Sequence, residues 1–402
     1  MDASATAELT SRFQARFGRP PEALTRAPGR VELLGNHTDY NLGLIMALAV
    51  DKTVRLAAAP RADREVQFVS TAFPETAHFS LDRIEPDPAV PWADYAKGIL
   101  RLLQERGARL GGFDLLLDSS IPLGGGLSSS AAMLVGTALT VRKLYPYRLT
   151  SDGVGTAPAR GARGVLPPLD AAEKMILAHV CQAAENHFVG VKCGLLDYIV
   201  SLFGRAAQVV LIDCLNLSVD WTPLAADMAV VICHSGVKHA LVAGEYNERR
   251  ALCEAAAAAL GVRALRFVNP ADLEAGRAKL TDRQYGCALH VVGENDRVER
   301  GADLLRRGDL ASFGELLRQS HESSRLHFLN SCPELDVLVE LAWSHPACIG
   351  ARLTGGGFGG ATLNLVRPAA VEDFRRHMAE GYARRCQRPL ESWACQVVNG
   401  AN

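Results

Sequence analysis

The sequence predicts an α+β protein built from two domains. Three observations support this: the chain length, a mixture of strand and helix patterns, and a division between strand-like segments at Asp213–Asp220. The chain has 402 residues, whereas a single domain usually spans ~100–200 residues. Hydrophobic residues make up 48 % and charged residues 22 %, which provides a core and excludes wholesale disorder. We therefore expect one domain over residues 1–213 and a second over residues 214–402.

The first half of the chain contains both helical patterns, with a period of about 3.6 residues, and strand patterns, with a period of about two residues. Leu9, Phe13 and Phe17 share one face of a predicted first helix, and a Pro-rich elbow is expected over residues 19–28. Strands are then predicted at RVELLG, LIMALAV, TVRLAAAP and FDLLLDSSIP, with an edge hairpin over residues 66–82. Helices are predicted at DYAKGILRLLQERG, at AAMLVGTALTVRKLY and over residues 170–188. Residues 147–168 lack periodicity and are expected to form an exposed loop.

The second half is mostly helical between two groups of strands. Strands are predicted at QVVLID and MAVVICHS, and again at CIGARLT and ATLNLV. Between them we expect helices at YNERRALCEAAAAALG, HVVGENDRVERGADLLRRG, LASFGELLRQSHESSR and PELDVLVELAWSH. A last helix, VEDFRRHMAEGYARRC, precedes a short tail.

Charge and cysteine usage restrict the partners and the compartment. The formal net charge is −1, which argues against nucleic acid or an anionic membrane as the main partner. The 10 cysteines include no C-x-x-C pair, so we expect free, mostly buried thiols in a reducing compartment. The first residues lack the apolar core of a signal peptide, and the apolar run Leu42–Val50 is far shorter than the ~20 residues needed to span a bilayer. These features predict a soluble, cytoplasmic protein.

The first chemical motif is the segment IPLGGGLSSSAA, from Ile121 to Ala132. Its glycines let the backbone approach a ligand closely, and its serines stand at the start of a helix, whose unpaired N–H groups and dipole attract anions. A serine hydroxyl could also bind Mg²⁺. The alternative is an ordinary glycine-rich turn with a serine cap. The chain contains no Walker-A sequence.

The second motif is LTGGGFGGATLNLV, from Leu353 to Val366. Gly355, Gly357 and Gly360 match G-x-G-x-x-G, but a strand pattern follows where a dinucleotide-binding fold would need a helix. The glycines therefore join two strands. Either they form a purely structural hairpin, or the loop packs against the first glycine-rich loop and leaves room for phosphates.

Two further segments concentrate polar groups. PGRVELLGNHTDYN, from Pro28 to Asn41, has the hydrogen-bonding groups that a polyhydroxylated ligand needs, or else it forms an Asx-type turn. In QAAENHFVGVKCGLLDYIVSLFG, Glu185 and Asp197 flank a glycine-containing turn inside an apolar stretch. Glu185 could bind a metal and Asp197 could accept a proton, or both could cap helices.

Together, these segments resemble the GHMP small-molecule kinases and, within them, the galactokinases. PGRVELLGNHTDYN resembles the galactokinase signature, GGGLSSSAA resembles the phosphate-binding loop, and LTGGGFGG resembles the third family motif. Weaker similarity in the intervening segments extends the resemblance over nearly the whole chain. The resemblance implies a two-lobed fold, with an N-terminal mixed sheet covered by helices and a ferredoxin-like C-terminal lobe. The sugar and ATP–Mg²⁺ would bind between the lobes.

The resemblance also implies roles for individual residues. Asp197 would accept the proton of the sugar's anomeric hydroxyl or stabilise it electrostatically, and Arg30 would stand beside Asp197 and hold the transferred phosphoryl group. Ser129, within one residue either way, would bind Mg²⁺ together with Glu185. The sugar site would contain Asn36, His37, Asp39, Gly194 and Tyr246. The nucleotide site would contain Gly124, Gly125, Gly126, Leu127, Ser128, Ser129 and Ser130, with Trp92 near the adenine.

Three positions of the signature and one beside Asp197 depart from the family pattern. Galactokinases usually read G-R-V-N-L-I-G-E-H-T-D-Y, whereas here Glu32 replaces the Asn, Leu34 the Ile and Asn36 the second Glu. The family Glu contacts the sugar's 6-hydroxyl, so Asn36 bears on sugar preference. Tyr198 replaces the Gln that usually follows the catalytic Asp. We expect the changes at Asn36 and Tyr198 to affect the choice of sugar and to leave the phosphate machinery untouched.

The resemblance therefore implies ATP-dependent phosphorylation of D-galactose at the anomeric oxygen, by a monomer or a dimer. The alternative is the same reaction on galacturonate, arabinose or an N-acetylhexosamine. Galacturonate remains open because losing a carboxylate at Asn36 reduces repulsion of an acidic sugar. A different class of function is a non-catalytic sugar and ATP sensor. Such relatives lose residues of the GLSSSA loop, which is intact here.

Overall fold

The computed structural model describes residues 3–122, 124–156, 166–238 and 242–402. Within these ranges the strands form a seven-stranded sheet, a four-stranded sheet and a short hairpin. The two larger sheets belong to the two lobes of an α+β fold, as predicted.

The N-terminal lobe consists of the first sheet and the helices around it. Its helices are α1 (Ala3–Phe17), α2 (Asp94–Glu105), α3 (Ser129–Leu144), α4 (Ala171–Ala183) and α5 (Leu196–Phe203). Its strands are β1 (Ala23–Leu34), β2 (Leu44–Pro60), β3 (Glu65–Ser70), β4 (Ala77–Ser80), β5 (Phe113–Ser119), β6 (Arg148–Thr150), β7 (Gly153–Gly155), β8 (Gln208–Asp213) and β9 (Ser218–Pro223). The sheet order is β4-β3-β5-β2-β8-β9, and β1 pairs with β2. Because β3 and β5 are parallel and the other pairs are antiparallel, the predicted mixed sheet is confirmed.

Three details of the predicted N-terminal lobe are wrong. The Pro-rich elbow is shorter, since β1 begins at Ala23 and contains Pro28 next to a register shift, where a residue without an N–H group is tolerated. LIMALAV and TVRLAAAP are one strand, β2, because Asp51 between them stays extended and donates its N–H to the oxygen of Gln396 at 3.0 Å. The expected loop over residues 147–168 contains the hairpin β6–β7, and its residues 157–165 lie outside the described part.

The C-terminal lobe contains the second sheet and a group of helices, some of which pack against the first lobe. Its helices are α6 (Val242–Leu260), α7 (Pro270–Ala275), α8 (Asp282–Arg307), α9 (Leu310–Ser323), α10 (Pro333–Ser344) and α11 (Val371–Cys386). Its strands are β10 (Ala229–Lys238), β11 (Cys348–Thr354), β12 (Gly359–Val366) and β13 (Glu391–Cys395), in the order β11-β12-β10-β13. Side chains of α10 and α11 pack on one face of this antiparallel sheet. This is the ferredoxin-like arrangement that the resemblance implies.

The position of the lobe boundary follows from the pairing of β8 with β9. Both strands belong to the first sheet, so a division at residue 213 falls inside their hairpin. The chain passes from the first sheet to the second between Pro223 and Ala229. The lobes share one hydrophobic core, in which Phe313 and Leu317 of α9 belong to the same cluster as Leu34 of β1.

Two other expectations can be compared with the structure. All ten cysteines are free thiols, and seven of them are buried, so the prediction of free, mostly buried thiols is confirmed. Among the helices in the described ranges, none combines the length and the apolar character needed to cross a membrane.

Candidate active site

A cavity of about 440 Å³ lies between the lobes and gathers the polar motifs. β1 and the turn after it form one wall, the N-terminal end of α5 and the segment before it form a second, and the C-terminal lobe contributes α6 and the β11–β12 turn. The sequence-predicted residues that line it are Arg30, Asn36, His37, Asp39, Glu185, Gly194, Asp197 and Tyr246. Segments far apart in sequence therefore meet at one site.

Asp197 is held from both sides at the start of α5. Its Oδ1 accepts a hydrogen bond from Arg30 Nε at 2.6 Å, and its Oδ2 accepts one from Ser128 Oγ at 2.5 Å. The Asp197 side chain remains 25 % exposed, whereas that of Arg30 is only 9 % exposed. Arg30 also donates through Nη1 to the oxygen of Gly126 at 2.8 Å. The carboxylate therefore faces the cleft in a fixed orientation, joined to the glycine-rich loop by the guanidinium group.

The glycine-rich loop leads into α3 with its helix terminus open. Gly124 and Gly126 have φ angles of 72° and 69°, and Ser128, at the N-cap position, has a φ of 57°. Ser128 makes no capping hydrogen bond to α3, since its hydroxyl donates to Asp197. The simple serine-capped turn is therefore the wrong alternative. The first N–H groups of α3 carry the positive end of the helix dipole without a side-chain cap, as an anion site requires.

The second glycine-rich loop is the turn of the β11–β12 hairpin, and it contacts the first loop. A Cβ atom on Gly355 would lie 3.3 Å from the oxygen of Gly126, and one on Gly126 would lie 3.7 Å from the oxygen of Thr354. The strand–loop–strand prediction is confirmed. Of the two alternatives for this loop, the structure supports packing against the first loop.

Glu185 lies in a π-helical turn, from Ala184 to Val189, that continues α4. It is 5 % exposed, and burial raises the pKa of its carboxyl group to about 7. Ser130, one residue beyond Ser129 and within the range of the expectation, acts against this rise in the pKa of Glu185. Within the described residues Glu185 has no ion-pair partner. A divalent cation would supply the missing positive charge.

Tyr198 contacts Glu185 rather than the sugar side of the cleft. Its hydroxyl donates to Glu185 Oε2, and its side chain is 1 % exposed. Tyr198 thus contacts the carboxylate that is expected to bind the metal, and the expectation that this change leaves the phosphate machinery untouched stays a prediction.

Asp39 occupies a position that only glycine at residue 194 allows. A Cβ atom on Gly194 would lie 1.6 Å from Asp39 Oδ2. Burial raises the pKa of Asp39 to about 6, against the opposing effect of a hydrogen bond from the Tyr40 backbone. The carboxylate thus fills the space above Gly194 and faces the cavity.

For the sugar substrate that the resemblance implies, replacing Gly194 with Ala is expected to raise the KM at least ~10-fold, because the methyl group displaces the Asp39 carboxylate. Steady-state kinetics at saturating ATP would measure the change. Gly244→Ala is the matched control, since a Cβ atom there meets nothing within 4 Å. An unchanged sugar KM in Gly194→Ala would show that Asp39 does not bind the sugar.

Asn36 and His37 line the cavity, but other protein groups occupy most of their polar atoms. Asn36 Nδ2 donates to Gly355 O at 2.8 Å, and its Oδ1 accepts from Asn330 Nδ2 at 3.0 Å. His37 Nε2 lies 3.1 Å from the oxygen of Gly356, so Nε2 carries the proton, and Nδ1 accepts from the Tyr40 hydroxyl at 2.9 Å. Burial lowers the pKa of His37 to about 4, so this ring is neutral near pH 7.

Aromatic residues surround the His37 ring beside the cavity between the lobes. The ring centroid of Tyr246 lies 5.1 Å from that of His37, and the centroid of Phe328 lies 4.5 Å from it.

Trp92, the expected adenine neighbour, is 8 % exposed and stacks on Phe73 at 5.6 Å. Its indole Nε1 is buried and has no hydrogen-bond partner among the described residues.

The sequence did not indicate the residues that hold the loop after β1 in place; residues 35–39 form this loop, named the sugar loop because the resemblance implies that it binds the sugar. Glu294 of α8 is fully buried and accepts the N–H groups of Gly35 and Asn36 at 2.8 and 2.9 Å. Asn330 binds Asn36, and Arg352 of β11 binds Glu32 at 3.1 Å. A signal exists only for Glu294, which lies between Val291 and Val298, an acid on the apolar side of a helix.

Comparisons with protein-family models match three segments of the chain. Residues 11–60 match the galactokinase galactose-binding signature, residues 94–205 match the N-terminal domain of GHMP kinases, and residues 302–384 match the C-terminal domain of GHMP kinases. These segments contain the sugar loop, the glycine-rich loop with Glu185 and Asp197, and the second glycine-rich loop.

Full-length relatives give the same picture. A galactokinase of Chloroflexus aggregans is 40 % identical over 97 % of this chain and 95 % of its own length, and that of Homo sapiens is 40 % identical over 94 % and 92 %. The crystal structure of Lactococcus lactis galactokinase complexed with galactose superimposes with a TM-score of 0.89 at 28 % identity, covering 99 % of each chain. A mevalonate kinase structure at 17 % identity matches with a TM-score of 0.62 over 94 % of this chain and 99 % of its own, and so shows the fold alone.

Proposed function

This chain belongs to the galactokinases of the GHMP kinase family, and from that premise we propose that it transfers the γ-phosphoryl group of ATP to the anomeric hydroxyl of D-galactose. The observation that carries the proposal is the position of Asp197. A cleft carboxylate held by Arg30 and Ser128 stands between a sugar-binding loop and a helix N-terminus open to phosphate.

Asp197 takes the proton as the anomeric oxygen attacks the γ-phosphorus, and the bond from the γ-phosphorus to the bridging oxygen breaks to release ADP. Because Arg30 and Ser128 fix both of its oxygens, the carboxylate meets the hydroxyl in one orientation, which favours the in-line geometry. Asp39 above Gly194 anchors the ring of the sugar on the other side of the cavity.

Arg30 and the glycine-rich loop act on the phosphates. Phosphoryl transfer depends on positioning and charge neutralisation more than on covalent catalysis. The guanidinium group of Arg30 contacts both Asp197 and Gly126. It therefore lies between the proton acceptor and the phosphate-binding loop, where it can neutralise negative charge on the transferred phosphoryl group. The open N–H groups of α3 and the backbone from Gly124 to Ser128 hold the triphosphate.

The residues around Glu185 fit a bound Mg²⁺ ion. Glu185 and either Ser129 or Ser130 would hold the cation through their side-chain oxygens. In the described ranges no group of three His, Cys, Asp or Glu side chains forms a metal site, in keeping with a cation that takes further oxygens from phosphate and water. When bound, Mg²⁺ neutralises the charge that develops on the phosphate oxygens. Tyr198 fixes the orientation of Glu185.

The oligomeric state and the cellular compartment are also part of the proposal. One chain supplies residues to every wall of the cavity, so we propose that the monomer is active. Ten free thiols support a reducing compartment, and we propose the cytoplasm.

The proposed function is tested by ADP release with Mg²⁺–ATP across a panel of galactose, glucose, galacturonate, arabinose, N-acetylgalactosamine and 2-deoxygalactose. Turnover with galactose well above the others is expected. Turnover with a different sugar alone would keep the mechanism and change the substrate. ATP binding without turnover of any sugar would overturn the proposal in favour of a sensor.

Sugar binding is expected to weaken as the pH falls from 8 to 5. The pKa of Asp39 is raised to about 6, so acidification protonates it and removes an acceptor for sugar hydroxyls. Asp197, Arg30 and Arg250 are the charged neighbours that act on Asp39. Burial raises the pKa of Glu32 to about 7, so Glu32 also becomes protonated as the pH falls. Calorimetric titration of galactose without nucleotide should give a Kd that rises below about pH 6, and a constant Kd would contradict the role of Asp39.

A further inference from the structure

Glu32 places a second carboxylate in the wall of the sugar cavity. It follows Arg30 by two residues on β1, and because side chains alternate along a strand, both face the same side. The pairing with β2 is regular over these residues, with Arg30 opposite Ala49 and Glu32 opposite Ala47. Both side chains line the cavity of about 440 Å³. Glu32 is 3 % exposed, so it faces this cavity rather than bulk solvent.

The C-terminal lobe holds Glu32 in place through one of its two carboxylate oxygens. Arg352 Nη1 donates to Oε1 at 3.1 Å, and the Glu32 N–H group donates to Thr354 Oγ1 at 3.0 Å. Within the described residues, Oε2 accepts no hydrogen bond from the protein. One oxygen thus fixes the carboxylate and the other remains available as an acceptor.

The neighbouring side chains of Asn36 and His37 have fewer polar atoms free to bind a ligand. The Asn36 amide is bound to Gly355 and Asn330, and both ring nitrogens of His37 are engaged. Asp39 also lines the cavity, and its charge contributes to raising the pKa of Glu32. On the β1 side of the cavity, Glu32 is therefore the group with an unused acceptor.

We propose that Glu32 is a specificity-determining residue of the sugar site: its free carboxylate oxygen accepts a hydrogen bond from a sugar hydroxyl and repels an acidic sugar. This rests on the proposed function and narrows it to neutral hydroxylated sugars. A site built to bind a hydroxyl group rejects analogues that lack it, because the protein acceptor is then left unpaired. A like charge in the substrate adds repulsion in a cavity that already contains Asp39 and Asp197.

The test compares wild type with Glu32→Gln, which keeps the shape and an acceptor for Arg352 while removing the charge. Galactose, its 2-, 3-, 4- and 6-deoxy analogues, and galacturonate are each measured for kcat/KM and for binding by calorimetry. Wild type should reject one deoxy analogue ~10-fold or more, and Glu32→Gln should reject that analogue less than ~3-fold. The ratio of galacturonate to galactose in kcat/KM should rise ~10-fold. Glu315→Gln, an exposed carboxylate on α9, is the matched control.

Three outcomes are separable. If wild type phosphorylates galactose but Glu32→Gln keeps the same selectivity for every analogue, the role of Glu32 is overturned and the proposed function stands. If wild type neither binds nor phosphorylates any sugar in the panel, both proposals are overturned. If Glu32→Gln does not fold, the exchange Glu32→Asn with Asn36→Glu keeps one carboxylate in the wall. The proposal then expects a change in the rejected deoxy analogue, and an unchanged pattern would contradict it.

Discussion

Asp197→Ala is expected to lower kcat for galactose phosphorylation by ~10²–10⁴-fold, the range that a positioned proton acceptor contributes. The variant also removes the group that Arg30 and Ser128 hold between the sugar and the phosphates. ATP binding should change little, because the glycine-rich loop and the N-terminus of α3 remain. Steady-state kinetics would measure the loss in turnover, and nucleotide titration would measure the retained binding.

The control for this variant is Asp220→Ala, which removes an exposed carboxylate from β9 outside the cleft. Asp197→Asn separates the contributions of charge and shape, since it keeps the size of the side chain and removes the negative charge. Turnover within a few-fold of wild type in Asp197→Ala would refute the catalytic role.

Arg352→Met is expected to lower the free energy of unfolding by ~3–5 kcal/mol, the cost of leaving buried charges without their partner. Arg352 is fully buried, binds Glu32 at 3.1 Å and lies 4.0 Å from Glu294. Although burial opposes ionisation of Glu294, Arg297 and Arg352 keep its pKa below the usual range. Methionine has a similar volume, so the loss reflects charge rather than a cavity.

Chemical denaturation would measure this effect. Arg318→Met is the matched control, because its ion pair with Glu315 is exposed on both sides and is worth under ~1 kcal/mol. A loss of stability in Arg352→Met no larger than that of the control would mean that the buried charges joining β1, α8 and β11 do not hold the lobes together.

Much of the site could be predicted from the sequence because its residues cluster in short motifs. Arg30, Asn36, His37 and Asp39 lie within ten residues of one another. The run of glycines and serines before an apolar periodic segment predicts a loop that leads into a helix. The strand pattern after Gly360 excluded a dinucleotide-binding fold, and the β11–β12 hairpin agrees.

The remaining features depend on contacts that no local pattern contains. The left-handed φ of Ser128 at the N-terminus of α3, and the influence of Ser130 on the pKa of Glu185, could not be read from the run of three serines. Asn330 reaches Asn36 across 294 positions of sequence, and Arg352 reaches Glu32 across 320. A buried arginine on a strand has no periodic signature, since its charged neighbours, Glu32 and Glu294, lie on distant segments of the chain.

The most direct test of the account is the position of the phosphate in the product. Galactose and ATP are incubated with the purified protein and Mg²⁺, and the product is analysed by ³¹P and ¹H NMR. The arrangement of Asp197, Arg30 and the glycine-rich loop predicts galactose 1-phosphate, with phosphorus coupled to the anomeric proton. Phosphate on any other carbon, or ADP formed without a phosphorylated sugar, would contradict it.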